Sequence, residues 1–144
     1  MPDAGFTHIA LPVTDLDATI AFYFRYAQMK VVHRRTQQQI PEREIAWLSD
    51  LTRPFVLVLA ESPDVEHPLG PFAHLGVACA SRDEVDRLCE LARLEGRLRD
   101  APSGGEGPAG YYGNLTDPDG HTLELSYGQE VGLTIEQAEA PKSK

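Results

Sequence analysis

The sequence predicts an α+β fold: two βαβββ modules that pair into a concave, barrel-like mixed sheet with helices outside. Three observations predict it. The segment Phe6-Thr7-His8-Ile9-Ala10-Leu11 returns as Phe72-Ala73-His74-Leu75-Gly76-Val77, displaced by 66 residues. Each copy alternates apolar and polar positions like a half-buried strand and precedes a capped, amphipathic stretch. Short alternating segments follow each helix. A lone four-stranded unit leaves one sheet face bare, so two units that enclose a side-chain-lined space are the stable solution.

Taken in order, the first module spans residues 1–62. Ile9 and Leu11 share one strand face, and Phe6 and His8 the other. Asp15 is a natural N-cap, with Leu16, Ile20, Tyr23, Phe24 and Ala27 as the apolar stripe. Strands are expected near Lys30–Thr36, Arg43–Ser49 and Phe55–Ala60. Residues 63–71 are a proline-bearing linker.

The second module covers residues 72–128. Ser81 caps its helix, Asp83 and Glu84 suit the positive first turn, and Val85, Leu88, Cys89 and Ala92 form the stripe up to Gly96. A weak strand is expected at Arg97–Arg99, then a mobile Pro- and Gly-rich loop at Ala101–Ala109. Tyr111–Thr116 and His121–Tyr127 make a hairpin through Asp117-Pro118-Asp119-Gly120. Residues 129–144 form a tail, with a short helix at Leu133–Glu139 and disorder from Ala140.

Composition narrows the function classes. The formal net charge of −9 and a pI of about 4.9 oppose nucleic acid and anionic membranes as partners. No apolar run reaches the roughly 18 residues of a membrane span, and no secretory leader pattern opens the chain. A soluble, cytoplasmic protein is expected. Cys79 and Cys89 are too few for a disulfide scaffold and read as reduced core residues.

The repeat also places the chemistry. The same shift carries Leu57-Val58-Leu59 onto Leu123-Glu124-Leu125. The leucines pack under helices, so Val58 and Glu124 face the side that carries His8 and His74. A pseudo-twofold axis relates four positions: His8, Val58, His74 and Glu124. Three are metal-ligand types, and an inward glutamate is costly unless paired or bound. A two-histidine, one-carboxylate metal site follows; a hydrogen-bonded His–His–Glu cluster is the alternative.

Together with Phe22-Tyr23 and Asp117-Pro118-Asp119-Gly120-His121-Thr122-Leu123-Glu124-Leu125, these segments resemble the vicinal oxygen chelate superfamily. That superfamily includes glyoxalase I, bleomycin-resistance proteins, fosfomycin-resistance enzymes, methylmalonyl-CoA epimerase and type I extradiol dioxygenases. The resemblance runs from Phe6 to about Gly128. It implies one divalent metal on His8, His74 and Glu124, with Fe(II) or Mn(II) preferred over Zn or Ni, a small-molecule substrate and a homodimer. One departure follows the first helix, where Ala27-Gln28 stands in place of the usual Leu-Gly.

The resemblance implies that glyoxalase I and the epimerase use a fourth ligand where Val58 stands. Glu61 falls on the opposite face by strand parity. Three ligands leave coordination positions for substrate, water or oxygen. An enzyme acting on a substrate that chelates through adjacent oxygens is therefore expected. Fe(II) dioxygenase chemistry comes slightly first, fosfomycin-type thiol transfer with Mn(II) second, glyoxalase-type lyase chemistry third. A bleomycin-type drug-binding protein is the reading from a different class, and the intact ligand set argues against it.

Tyr111 or Tyr112 is the candidate catalytic phenol near Glu124, with counting from the turn favouring Tyr111. His121 is expected as an exposed turn residue. His33, His67, Arg34, Arg35 and Arg43 read as surface residues, and Trp47 as a core or cavity-wall aromatic.

Overall fold

The computed structural model describes residues 2–139. Its elements run β1 (His8–Val13), α1 (Leu16–Ala27), β2 (Lys30–Thr36), β3 (Glu44–Ser49), β4 (Val56–Glu61), β5 (Leu75–Ala78), α2 (Arg82–Leu94), β6 (Leu98–Gly104), β7 (Tyr111–Thr116), β8 (Thr122–Tyr127) and α3 (Val131–Glu139). The strands form two four-stranded sheets, ordered β1-β4-β3-β2 and β5-β8-β7-β6, and no closed barrel. In the first sheet β1 runs parallel to β4, and the β2, β3 and β4 neighbours are antiparallel. The fold is the α+β class with two βαβββ repeats.

Two compact units divide the chain unequally with respect to the repeat. One runs as far as Leu75 and adds Thr116–Thr122; the other takes Gly76–Leu115 and resumes at Leu123. In the first, Leu11, Val13, Leu48, Leu57 and Leu59 on the sheet are buried, as are Leu16, Phe22, Tyr23 and Tyr26 on α1. In the second, Leu115, Leu123 and Leu125 are buried, as are Val85, Leu88, Cys89 and Ala92 on α2.

Both helices start at the expected caps. The Asp15 carboxylate accepts the Ala18 N–H at 3.0 Å, and the Ser81 hydroxyl accepts the Glu84 N–H at 3.1 Å. They end differently. Past α2, Gly96 adopts φ +73, with Gly96 N–H donating to Arg93 and Arg97 N–H to Ala92, a Schellman closure. Past α1, Gln28 takes the same left-handed turn at φ 55 with a side chain that disfavours it.

Some expectations change. The buried stripe of α1 is Leu16, Thr19, Phe22, Tyr23 and Tyr26, while Phe24 is 59% exposed. Thr19 can face the core because its hydroxyl donates to the Asp15 carbonyl at 2.9 Å. Strand β6 extends to Gly104, through half of the expected loop, because Ser103 and Gly104 pair with Tyr112 and Tyr111 after register shifts. Helix α3 begins at Val131, two residues early. The disorder expected from Ala140 lies outside the described residues.

The hairpin tip is the largest departure from a simple repeat. The Tyr23 hydroxyl donates to Asp117 at 2.9 Å, both groups being buried. Asp117 also accepts the Asp119 and His121 N–H groups, at 2.9 Å each. Asp119 in turn accepts the Thr14 N–H and hydroxyl, at 3.0 and 2.6 Å. Residues of the second repeat thus cap the entry to α1. Burial, and then the Asp117 carboxylate, hold the Tyr23 phenol far above its usual titration range.

Candidate functional site

His8 and His74 lie in the first unit, and both are exposed. His8 opens β1, with Nδ1 2.9 Å from the Thr7 hydroxyl. The Nδ1 of His74 lies 2.5 Å from the Phe72 carbonyl oxygen. A carbonyl only accepts, so Nδ1 carries the proton and Nε2 is the lone-pair nitrogen of the neutral ring. Beside them, Phe6 is 92% and Phe72 89% exposed, so each histidine has a solvent-facing aromatic two residues before it.

Val58 sits on the same sheet face as His8. It pairs with Ala10 of β1 and Trp47 of β3, and His8 pairs with Val56. Trp47 stacks on His33 of β2, with centroids 4.8 Å apart. The row across this face is therefore His33, Trp47, Val58 and Ala10, with no carboxylate. The β1–β4 register runs without a bulge from Val56 to Glu61, so Glu61 shares a face with the buried Leu57 and Leu59.

Glu124 lies in the second unit, at 8% exposure on β8. Its Oε1 accepts from the Gln129 carboxamide at 2.7 Å. Sequence reasoning missed Gln129, which stands five residues on, past a glycine and outside any periodic pattern. Strand alternation puts Tyr112 and Asn114 on the Glu124 face of the sheet, because Gly113 and Leu115 are buried towards α2.

That settles which tyrosine faces where. The Arg82 guanidinium lies 4.2 Å over the Tyr111 ring, and the Tyr111 hydroxyl donates to Asp86. Both partners belong to α2, so Tyr111 faces the helix. The Asp86 bond raises its titration range. Of the two candidate phenols, Tyr112 is the one on the Glu124 face.

His121 is a correction: it is fully buried. Its Nδ1 accepts the Leu69 N–H and its Nε2 donates to the Pro12 carbonyl, each at 2.8 Å. Both ring nitrogens are used in holding linker and strand together. His33 and His67 are exposed, as expected. Arg34 is committed to Asp17 and Glu44, at 3.0 and 2.6 Å. Cys79 and Cys89 are free thiols, Cys89 buried and Cys79 half-buried.

Among the described residues, no group of three or more His, Cys, Asp or Glu side chains is placed to hold a metal ion. Nor is any described helix long and apolar enough to cross a membrane.

The model of the Glyoxalase/Bleomycin resistance protein/Dioxygenase superfamily matches residues 5–125. The chain is 37% identical over 138 residues to the uncharacterized protein PA2024 of Pseudomonas aeruginosa, covering 94% of this chain and 96% of that one. It is 31% identical to lactoylglutathione lyase GLX1 of Arabidopsis thaliana over 83% of this chain, and spans 43% of that enzyme's length. Among solved structures, a glyoxalase I variant from Zea mays aligns at TM-score 0.64 and 26% identity, over 83% of this chain and 43% of that one. The fosfomycin resistance protein FosX of Listeria monocytogenes, complexed with Mn(II) and 1S,2S-dihydroxypropylphosphonic acid, aligns at TM-score 0.67 and 21% identity, over 95% and 98%. Fold, repeat and matched span agree: the chain belongs to the Glyoxalase/Bleomycin resistance protein/Dioxygenase superfamily.

Proposed function

We propose that this chain is a metal-dependent enzyme in which His8, His74 and Glu124 hold one divalent ion for a small substrate that chelates through adjacent oxygens. The observation that carries the reading is the bond from His74 Nδ1 to the Phe72 carbonyl. A ligating histidine characteristically donates its other ring N–H to a carbonyl or carboxylate, which fixes the tautomer and aims Nε2 at the ion. Bound there, the ion supplies Lewis-acid stabilisation of an anionic oxygen. The chain's own part is to present two imidazoles and a carboxylate, and to keep Val58, not a fourth ligand, in the symmetric position.

Val58 supports an open coordination set, and within it Fe(II) dioxygenase chemistry remains our first choice. Mn(II) with a fosfomycin-like substrate comes next, a reading favoured by the likeness to FosX. The 31% identity to a lactoylglutathione lyase favours glyoxalase-type isomerisation as the other reading, against which Val58 weighs. We further propose that two copies pair to complete each site. Exposed Phe6 and Phe72, flanking His8 and His74, support a face covered by a second copy. A cytoplasmic location is part of the same proposal.

The test begins with metal content after reconstitution with Fe(II), Mn(II), Zn(II) or Ni(II). About one ion per site is expected, with loss in His8→Ala, His74→Ala and Glu124→Ala. Trace metal in every case sinks the enzyme reading. Oxygen uptake with a catechol panel, thiol-dependent turnover of an epoxide and isomerisation of a hemithioacetal then separate the three chemistries.

A further inference from the structure

Gln129 makes two bonds with one group. Its carboxamide nitrogen donates to Glu124 Oε1 at 2.7 Å and to the Ala109 carbonyl at 3.0 Å. Both partners are acceptors, so the amide orientation is fixed by chemistry: the NH2 must point at them. A second contact joins the same two segments. Gly110 adopts φ +66, and a Cβ there would lie 2.5 Å from the Tyr127 carbonyl oxygen and 3.0 Å from the Gln129 nitrogen. The exit of β8 therefore runs directly across the end of the 104–110 loop. Within that loop, Gly105 N–H donates to Gly110 and Gly110 N–H to Gly107, at 3.0 and 3.2 Å. The Arg82 guanidinium lies 3.1 Å from where a Gly105 Cβ would be.

We propose that Gln129 is a positioning residue: it sets the rotation of the Glu124 carboxylate and couples it to the conformation of the 104–110 loop. The inference rests on the reading of Glu124 as a metal ligand and deepens it. A carboxylate held through Oε1 by a neutral donor keeps its charge for the ion while losing its freedom to rotate. Because the other N–H of the same amide is held by the loop backbone, displacing the loop displaces the donor. A substrate that contacts the loop thus changes the geometry of a ligand it does not touch. Outer partners of ligating side chains are worth about 10–100-fold in metal affinity.

The probe is Co(II), titrated into metal-free protein and read both as affinity and as the visible ligand-field spectrum. Wild type, Glu124→Ala, Gln129→Leu and Gln129→Glu are compared, with far-UV circular dichroism checking the fold. Gln129→Leu removes the donor at similar size. Gln129→Glu sets a carboxylate against Glu124. Expected is loss of binding in Glu124→Ala and a roughly 10-fold or greater weakening in both Gln129 variants, with an altered spectrum and an unchanged dichroism signal. A merely structural role would move dichroism and leave the spectrum of the bound fraction as in wild type, which overturns the proposal. So does wild-type affinity in both Gln129 variants while Glu124→Ala loses the ion. If wild type takes up no Co(II), or Glu124→Ala binds it as wild type does, the ligand reading itself falls, a distinct result.

Discussion

The Nδ1 of His121 accepts the Leu69 backbone N–H at 2.8 Å, and this bond dictates the state of the ring. With that nitrogen accepting, the proton sits on Nε2, which donates to the Pro12 carbonyl at 2.8 Å. His74 has the opposite arrangement, its proton on Nδ1 and held by Phe72. Two histidines in neighbouring motifs thus carry different tautomers, one spent on structure and one suited to ligation.

Replacing His121 by alanine leaves the Leu69 N–H and the Pro12 carbonyl without partners and opens a cavity in a fully buried position. The expected loss is about 2–4 kcal/mol, measured by urea unfolding. Metal affinity should stay at the wild-type value. A stability-neutral His121→Ala that lost metal would assign the site to the wrong histidine.

Gln28 holds a left-handed conformation at φ 55. Gln28→Gly removes the steric penalty and should stabilise the protein by about 1 kcal/mol, raising the thermal midpoint by roughly 2–4 °C. An unchanged or lower midpoint would mean that the Gln28 side chain contributes contacts that offset its strain.

Gly113 lies under Cys89. A Cβ built there would approach Sγ to 2.7 Å and the Asp100 carbonyl oxygen to 3.2 Å. Gly113→Ala should cost about 1–3 kcal/mol by overpacking. Adding Cys89→Ala should recover part of that loss, since the new methyl fills the space the thiol leaves. Denaturant midpoints of both single variants and the double variant measure the coupling, and strict additivity would contradict the packing described.

Alkaline stability should reflect two buried neutral groups. Burial pushes the Cys89 thiol from 9.0 up to about 11, with Cys79 and Asp86 adding to the shift. A group whose folded value is raised contributes stability that is complete below its unfolded value and lost as pH rises through the folded one. The denaturant midpoint should therefore fall between pH 9.0 and 11, with Tyr23 adding a loss of the same sign above 10.0. Cys89→Ala should flatten the first part of the decline. An equal slope in that variant would remove Cys89 as its source.

Much of this was legible in the sequence because periodicity reports burial. The leucines around Val58 and Glu124, the capping residues Asp15 and Ser81 and the stripe of α2 all read directly. The face of α1 did not, since two overlapping stripes share Leu16 and Tyr23, and Thr19 joins the core only through a local hydroxyl bond. Register shifts hid the far half of β6. Tertiary hydrogen bonds were the least visible: nothing in the residue type of His121 or Gln129 says which backbone or carboxylate lies within 3 Å of it in the folded chain.

The ties from Asp117 and Asp119 to Tyr23 and Thr14 bear on how the chain is made. On a ribosome adding about 5–20 residues per second, the amino-terminal strands and α1 emerge seconds before the hairpin that caps them. Until residue 122 is out, the entry to α1 lacks Asp119, and the Tyr23 hydroxyl has no Asp117 to receive its proton. The earlier repeat must wait for the later one. An ancestor with a single repeat would have taken those carboxylates from another polypeptide, and fusion converted that encounter into a step within one nascent chain.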